Sequence, residues 1–397
     1  MKKPTTGSFE LIKSLNTDCI LSMIRVAGPI SRADVARGTG LTPATVSNIT
    51  AELMEVGLIE ETERGESSGG RKPVLLSIAR NACYFGALYI GSTRVEAAVT
   101  DVEAGLCGRR VSPLPKGSSP EDAVRLCLSL LRAVQKETGA DALAGIGVCT
   151  HGLVRTEEGL LAFAPNLGWR GVHLGAILNE ATGLRVVVEN DVRAMALAES
   201  WRGCARGVKD YVYLFVGPGI GGSIVSGSEL YRGEGEFAGE FGHVTLEPDG
   251  PLCTCGNRGC LQALASETAT LRRFEARVPA RAGLDFPALL QAAKGGDGDA
   301  RDALAESVRY IGIEVGNIIN TLSPSLLIVN GSITEFDAMQ RLLNEEIRRH
   351  CLRVPEADSK IAFSELGANA PIFGAATCII RQMFRSPQAF LSARRGA

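Results

Sequence analysis

The chain has no long apolar run. Nowhere in its 397 residues does a stretch approach the ~18 uninterrupted apolar residues of a membrane-spanning helix, so we expect no membrane insertion. The opening residues, Met1 to Pro4, lead into polar residues rather than an apolar core, which argues against a targeting segment. Internal repeats and low-complexity tracts are also absent. These absences exclude membrane and repeat architectures.

The chain also lacks an excess of either charge, because 42 basic residues against 44 acidic residues give a formal net charge of only −2. Such a balance gives no overall attraction to nucleic acid or to a membrane surface. An apolar fraction of 45% and a charged fraction of 22% are typical of a soluble globular protein, here long enough for two or three domains. The eleven cysteines are an odd number without a signal peptide, which predicts reduced thiols in the cytoplasm.

Three of those cysteines lie within eight residues, with an imidazole ten residues upstream of the first thiol. One nitrogen and three sulfurs can form the closed tetrahedral site that structural Zn²⁺ favours. Gly256 and Gly259 would let the backbone fold tightly between the last two thiols. Free cysteines in a turn are one alternative, and a disulfide or redox cluster, disfavoured without secretory context, is another. The predicted zinc ligands are His243, Cys253, Cys255 and Cys260.

The same stretch carries a family resemblance. Gly-Glu-Phe-Gly-His at 239–243, followed by Cys-x-Cys-Gly-x-x-Gly-Cys at 253–260, resembles the signature of the ROK family (repressor, open reading frame, kinase). The resemblance implies that the zinc loop supports a sugar pocket in which Glu240 and His243 contact hydroxyls. The family usually has Glu two residues after the last Cys, whereas this chain has Gln262, which removes a charge from an implied sugar contact.

Fold class follows from the pattern together with the resemblance. Alternating strand and helix patterns after residue 80 predict an α/β domain. The resemblance implies an N-terminal winged helix-turn-helix over 1–80, followed over 81–397 by a two-lobed actin-like ATPase (ribonuclease H-like) domain of the sugar-kinase type. We expect the first lobe at about 81–190 with a C-terminal helix at about 367–384. The second lobe is expected at about 191–366, with the zinc loop at 243–260.

The first 80 residues predict three helices and a hairpin. Apolar spacing indicates a helix over 9–27, which Gly28-Pro29 ends. Ser31 is placed to cap a second helix, Arg32 to Arg37, and Thr42-Pro43 is a preferred start for a third. Two helices joined by a short glycine turn are typical of a helix-turn-helix, whose second helix reads the major groove.

A glycine-rich tip at 65–73 separates two predicted wing strands and ends in Gly-Arg-Lys-Pro. Such an extended arginine segment suits a narrow minor groove. Ten Lys and Arg against nine Asp and Glu in residues 1–80 add no support, and a protein-interaction domain with a β-hairpin is the alternative. The ROK resemblance, which includes the wing motif, favours binding to double-stranded operator DNA. The candidate DNA-binding residues are Ser31, Arg32, Thr42, Pro43, Ala44, Thr45, Ser47, Asn48, Arg71 and Lys72.

Both stretches that resemble nucleotide loops are altered. Where ROK kinases begin Asp-x-Gly-x-Thr, this chain has Tyr89, and a phenol cannot organise Mg²⁺ as a carboxylate does. A glycine loop after a strand can present N–H groups to phosphate or serve as a plain turn. The second loop has Gly-Pro-Gly instead of Gly-Thr-Gly, and Pro218 removes a hydroxyl and an N–H donor. The weak phosphate-loop candidates are Gly217, Gly219, Gly221 and Gly222.

The sugar side of the resemblance is largely kept. Asn166 stands in a segment that resembles the loop over the sugar. Asp191 ends an apolar strand, where it could accept a proton from a sugar hydroxyl, although a helix cap is the structural alternative. In ROK kinases the matching Asp is the catalytic base and the Asn beside it binds sugar, so Asp191 is here a vestigial base. The predicted effector residues are Asn166, Asn190, Asp191, Glu240, His243 and Gln262.

The predicted function is a sugar-responsive transcription factor, with a repressor favoured. The expected partners are operator DNA, a sugar or sugar phosphate, and a second copy in a homodimer or higher oligomer. An ATP-dependent sugar kinase is the alternative, and docking to a transport or metabolic protein is a third. The expected location is a bacterial-type cytoplasm, in association with the nucleoid. Residues 284–306 are predicted to form surface helices around the flexible segment 295–298.

Overall fold

A computed structural model describes residues 9–64, 73–352, 360–387 and 390 of the chain. These residues divide into two compact units. Unit 1 comprises Met1–Ala194 together with Pro371–Ala397, and unit 2 comprises Met195–Ala370. The chain therefore leaves unit 1, builds unit 2, and returns to unit 1 for its last helix.

The N-terminal part of unit 1 is a three-helix segment with a small sheet. Its elements are α1 (Phe9–Ala27), β1 (Ile30–Ser31), α2 (Arg32–Thr39), α3 (Pro43–Glu55), β2 (Ile59–Arg64) and β3 (Val74–Ile78). The three strands pair antiparallel in the order β1-β3-β2. Ser31 accepts a hydrogen bond from Asp34 N, and Thr42 accepts one from Thr45 N, so both predicted caps are confirmed. Pro43 occupies the first turn of α3, as predicted.

The rest of unit 1 is an α/β lobe. Its elements are β4 (Tyr84–Ile90), β5 (Arg94–Thr100), β6 (Leu106–Pro113), α4 (Pro120–Thr138), β7 (Leu143–Thr150), β8 (Leu153–Arg155), β9 (Leu160–Ala164), β10 (Trp169–Val172), α5 (Leu174–Thr182), β11 (Val186–Asn190) and α6 (Asp191–Arg202), which runs into unit 2. A five-stranded sheet has the order β11-β7-β4-β5-β6. Its buried face packs against the apolar side of α4, because Val124, Cys127, Leu131 and Val134 recur at helical spacing.

Unit 2 repeats this plan. Its remaining elements are β12 (Tyr211–Val216), β13 (Ile220–Ser226), β14 (Glu229–Tyr231), α7 (Leu261–Ala265), α8 (Glu267–Arg277), α9 (Phe286–Lys294), α10 (Gly298–Leu322), β15 (Leu326–Asn330), α11 (Asp337–His350) and β16 (Lys360–Phe363). The sheet order is β14-β13-β12-β15-β16. In each unit the first three strands pair antiparallel and the last two add in parallel. This duplication confirms the predicted two-lobed α/β fold.

The last helix, α12 (Ala370–Arg385), covers β7 of unit 1. The two backbones approach so closely that a Cβ on Gly147 would lie 1.8 Å from Ala375 O. The Cys149 thiol donates a hydrogen bond to Pro371 O at 3.1 Å. Ile379, which is fully buried, completes the contact. The lobe is thus closed by residues almost at the end of the chain.

The helices predicted over 284–306 are present as α9 and the start of α10, but they are part of the core as well as of the surface. Leu289 and Leu304 are fully buried and belong to the core of unit 2. The glycine-rich segment 295–298 is only the short connection between α9 and α10, where Asp297 caps α10 by accepting from Ala300 N at 2.9 Å. Polar residues of these helices lie on their outer sides, which made the composition resemble that of a surface segment.

Candidate functional site

The exposed face of α3 carries the predicted DNA-reading residues. Val46, Ile49 and Leu53 are buried, which turns the opposite side of the helix outward. The exposed residues at its start are Thr42, Pro43, Ala44, Ser47 and Asn48, while Thr45 is half-buried. Thr42 and Thr45 also join their hydroxyls at 2.9 Å. The start of α3 therefore presents short polar and methyl-bearing side chains.

Two other predicted DNA-binding residues hold the segment together. Ser31 is 5% exposed and donates its hydroxyl to the Asp34 carboxylate at 2.7 Å. Arg32 pairs with Glu61 at 3.0 Å, which joins α2 to β2. Its guanidinium also donates to Thr50 Oγ1 at 3.2 Å in α3. Ser31 and Arg32 therefore stabilise the helical segment, and their contacts with DNA stay predictions. Arg71 and Lys72 lie outside the described residues.

The predicted metal ligands converge in unit 2. All four ligand atoms of His243, Cys253, Cys255 and Cys260 lie within 4.8 Å of one another. His243 Nδ1 is 3.6 Å from Cys253 Sγ, and Cys255 Sγ is 3.7 Å from Cys260 Sγ. Tetrahedral zinc, with bonds of about 2.3 Å to sulfur and about 2.0 Å to nitrogen, separates its ligand atoms by about 3.5–3.8 Å. The donor set thus fits a zinc-sized cation.

Backbone geometry forms this loop. Gly256 and Gly259 have φ values of +97° and +64°, which favour glycine. Cys253 N donates to Asn257 O at 2.8 Å, and Tyr310 of α10 donates its hydroxyl to the Glu247 carboxylate. Burial, with the neighbouring thiols, raises the pKa of Cys260 to about 12. A coordinated cation is what would make such a thiol a thiolate at neutral pH.

Unit 1 gathers polar side chains where three strands end. Thr150 is the register partner of both Ile90 and Asn190, so the parallel strands β4, β7 and β11 end level. The carboxyl ends of parallel strands form the usual ligand-binding edge of an α/β sheet. Asn190 Oδ1 accepts from Arg193 N at 3.1 Å, so Asn190 is the cap of α6. This leaves Asp191, with 11% of its side chain exposed, at the open edge.

His151, which sequence reasoning missed, lies between two predicted effector residues. Its Nε2 is 3.0 Å from Asn166 Nδ2, and its Nδ1 is 3.7 Å from Asp191 Oδ2. Asn166 stands in the turn between β9 and β10. The signal that could have identified His151 is its place immediately after a buried strand, since parallel neighbours put such positions together. Unit 1 therefore brings Asn166, His151, Asn190 and Asp191 into one cluster.

Tyr89, in place of the kinase carboxylate, lies at the same edge of this sheet. Its hydroxyl lies over the turn after β4, because a Cβ on Gly91 would be 2.8 Å from it. The Arg94 guanidinium stands 5.4 Å from the ring centroid. Burial, and secondly the negative charge of Asp191, raise the pKa of Tyr89 well above its usual range, so the phenol stays neutral. A neutral phenol supplies neither charge nor a hard anionic oxygen for Mg²⁺.

The glycine loop of unit 2 is a tight turn between β12 and β13. Gly217 N donates to Gly219 O at 2.9 Å, and Ile220 N donates to Gln262 Oε1 at 3.1 Å. Pro218 has no N–H to offer. Two N–H groups of the loop are thus engaged within the protein, which favours the plain-turn alternative over a phosphate cradle.

Gln262 connects two loops. Besides accepting from Ile220 N, it donates Nε2 to Thr254 Oγ1 at 3.1 Å. Thr254 lies between the first two cysteines of the loop 243–260, which carries the four candidate ligands and is called the metal loop below. A carboxylate could not make that donation. Glu240 is exposed, three residues before His243. The predicted effector residues of unit 2 thus stand on or beside the metal loop, and their sugar contacts stay predictions.

Among the residues that the structure describes, no helix is both long and apolar enough to span a membrane.

Comparison with known proteins finds matches to two separate segments of the chain. The ROK family model matches residues 85–382, and a winged helix-turn-helix DNA-binding model matches residues 20–60. The xylose repressor of Bacillus subtilis is 31% identical over 372 residues, which cover 93% of this chain and 96% of that protein. The N-acetylglucosamine repressor of Escherichia coli O6:H1 is 29% identical over 392 residues, or 95% of each chain.

A solved structure shows the likeness over almost the whole chain. It is a ROK family transcriptional regulator, a homologue of the Escherichia coli MLC protein, and is 28% identical with a TM-score of 0.83. The match covers 96% of this chain and 98% of the other. Both matched segments, N-terminal and C-terminal, therefore occur together in regulators of this architecture.

Proposed function

Because the chain belongs to the ROK family and carries a winged helix-turn-helix at its N-terminal end, we propose that it is a repressor that binds operator DNA and responds to a small sugar. The observation that carries this proposal is the exposed start of α3, where short side chains project from a helix whose other side is buried. The whole-chain likeness to a transcriptional regulator supports the same function.

The proposed DNA contacts are made by α3 and the wing. Ser47 and Asn48 would approach base edges in the major groove, and the Ala44 and Thr45 methyl groups would meet thymine methyls. Arg71 and Lys72 of the wing would enter a flanking minor groove, where a narrow A·T-rich sequence attracts arginine. Because the segment has almost no net charge, affinity depends on these contacts and on dimerisation.

The proposed effector is an aldopentose of the xylose type. A relative named for xylose at 31% identity supports this choice, and N-acetylglucosamine, from the name of the other relative, is the alternative. Asn166 and Asp191 of unit 1 offer the convergent donors and acceptors that bind hydroxyls. Glu240, His243 and Gln262 are assigned to the effector through the family resemblance.

Phosphoryl transfer is not part of the proposed function. Tyr89 replaces the carboxylate of the first phosphate loop, and Gly217 and Ile220 use their N–H groups internally. Asp191 and Asn190, the residues retained from a kinase site, favour kinase activity as the second candidate. An ADP-release assay across pentoses, hexoses and amino sugars separates the two functions.

We propose Zn²⁺ as a structural ion at His243, Cys253, Cys255 and Cys260. The convergence of four ligand atoms at zinc spacing supports it. When bound, zinc would hold the loop that carries His243 and would keep Cys260 ionised. Cys255→Ala should lose the metal and the effector response together, as elemental analysis and DNA release would show.

The proposed domain division is a DNA-binding domain over 1–80 and an effector-binding, dimerising domain over 81–397. A dimer would read two half-sites about one helical turn, or a multiple of it, apart. Docking of a transport or metabolic protein to the second domain is a further hypothesis. Sedimentation of the full chain with and without operator DNA measures the stoichiometry.

The decisive test is a footprint and titration of the full chain on the promoter nearest its own gene, at fixed salt, with and without xylose. The proposal expects one protected site, release by xylose, and weaker binding by Ser47→Ala. Asp191→Ala should bind the operator normally but resist release, because the two functions use different residues. Specific binding that no sugar of a pentose, hexose and amino-sugar panel alters would contradict the proposed regulation.

A further inference from the structure

The helix α12 contacts the elements that carry the predicted effector residues of unit 1 at one end and the N-terminal helix α1 at the other. It has 16 residues, so at about 1.5 Å per residue it extends over about 24 Å. Buried side chains follow it from start to end, among them Ile372, Ile379 and Phe384. Because a close-packed interior transmits strain, we expect α12 to move as one body.

The start of α12 packs directly on two elements of the effector cluster. Gly374 touches the first turn of α6, because a Cβ on Gly374 would lie 2.5 Å from the carbonyl carbon of Ala194. Asp191 begins the same turn. The backbone of β7, which His151 follows directly, is even closer to α12 at Ala375. Where backbones meet in this way no flexible side chain absorbs a displacement, so a shift of α6 or β7 is passed on to α12.

The other end of α12 is bonded to α1. The carbonyls of the last turn of a helix have no partner inside that helix, and Arg385 O accepts a hydrogen bond from the Ser14 hydroxyl. The neighbouring Lys13 pairs with Glu52 of α3 at 2.8 Å, and α1 packs against α3. A displacement of the end of α12 is thus applied to the helix that holds α3, whose exposed start is the proposed DNA-binding surface.

A second attachment joins the N-terminal segment to the lobe. It is the connection between β3 and β4, where Arg80 pairs with Glu103 at 2.8 Å and Ala79 N donates to Leu58 O at 2.9 Å. A body that is held at two points turns about one of them when the other moves. Since two copies of α3 must match the spacing of two half-sites, such a turn lowers the affinity for the operator.

We propose that α12 couples the two sites of the protein. Sugar bound at Asp191 displaces α12, and α12 turns α3 away from the orientation that fits the operator. This inference rests on the proposed repressor function and adds the element that transmits the response. Coupling between two binding sites is reciprocal, so operator DNA must weaken sugar binding by the same factor by which sugar weakens operator binding, commonly about 5- to 150-fold.

The experiment measures the operator Kd of the full-length protein with and without D-xylose, and with N-acetyl-D-glucosamine if xylose has no effect. Ser14→Ala removes the hydroxyl that donates to Arg385 O, and it should lower the ratio of the two Kd values by roughly 2- to 10-fold, which corresponds to one hydrogen bond. Ser14→Thr keeps a hydroxyl and should keep the ratio. Calorimetry should find the sugar affinity of Ser14→Ala without DNA unchanged, because Ser14 belongs to neither site.

Gly374→Ala acts at the opposite end of α12, where the added Cβ separates the helix from Ala194. It should lower the same Kd ratio, although Ser14 and its hydrogen bond are left in place. Circular dichroism checks that each variant is folded.

Ser22→Ala is the matched control, because it removes a hydroxyl from the same helix that has no hydrogen-bond partner among the described residues. It should leave the ratio unchanged. If the parent releases the operator on binding sugar and folded Ser14→Ala does so to the same extent, coupling through α12 is refuted while the repressor function stands. A parent whose operator affinity no sugar of the panel alters overturns the proposed regulation together with the coupling.

Discussion

Gly256 and Gly259 allow a direct test of how the metal loop is built. Both have left-handed backbone conformations, so alanine at either position is strained. Their surroundings differ, since a Cβ at 256 would meet nothing within 4 Å, whereas a Cβ at 259 would lie 1.5 Å from Glu247 O. The same substitution at the two positions therefore separates backbone strain from a collision.

The expected magnitudes follow from this difference. Left-handed alanine costs on the order of 1–2 kcal/mol at each position. Ordinary contact begins at 3.4 Å, so Gly259→Ala also forces the loop to move by about 2 Å. That movement exceeds the ~0.2 Å tolerance of metal–ligand distances. It also disturbs the hydrogen bonds from Gly259 N to Pro251 O and from Leu246 N to Gly259 O, at 2.9 and 2.8 Å.

We therefore expect Gly259→Ala to weaken zinc binding by more than about 3 kcal/mol, or over a hundredfold, and Gly256→Ala by no more than about 1–2 kcal/mol. Competition against a chromogenic chelator gives the affinities, and elemental analysis gives the zinc content. Circular dichroism checks that both variants are folded. Equal zinc affinities for the two variants would refute the argument that close packing at Gly259 positions Cys260.

Glu314 in α10 is 2% exposed, and burial raises its pKa from 4.5 to about 6. The charged form of Glu314 destabilises the fold above about pH 6, and this effect is absent below about pH 4.5. Glu314→Gln should therefore raise the free energy of unfolding by about 2 kcal/mol near pH 8 and leave it unchanged near pH 4. Denaturant titration at the two pH values measures the difference. Thr42→Ala removes the cap that Thr45 N uses and should cost ~1 kcal/mol of stability as well as operator affinity, whereas Ser47→Ala should lower only the affinity. Tyr89→Asp should not create kinase activity, because the N–H groups of Gly217 and Ile220 in the second glycine loop stay hydrogen-bonded within the protein. ADP release at ~1–100 s⁻¹ would contradict this expectation.

Local features of the fold could be predicted from sequence because their physics is local. The caps at Ser31 and Thr42 depend on residues three positions apart. The candidate metal site depends on thiols within eight residues and on one imidazole ten residues before them. Short loops leave such groups few alternative arrangements, so spacing alone predicts which of them meet.

Contacts between distant segments could not be read in the same way. His151 and Asp191 are 40 residues apart, and only the parallel pairing of β7 and β11 brings their positions together. The ion pair between Arg32 and Glu61 joins residues 29 positions apart, and nothing nearby in the sequence predicts it. Gln262 shows the same effect, since its partners Ile220 and Thr254 lie on separate loops.

The return of the chain to unit 1 has a consequence for biosynthesis. The helices that read DNA leave the ribosome first, whereas α12, which covers β7, begins at residue 370. The contacts of Cys149 with Pro371 and of Gly147 with Ala375 therefore form only after all of unit 2 has been translated. Domains generally fold in the order in which they emerge, and exposed apolar strands attract chaperones and proteases. A prematurely terminated chain would thus carry the DNA-binding segment on a lobe that lacks α12. Proteolysis of such a chain would prevent fragments that cannot respond to the sugar from occupying operators.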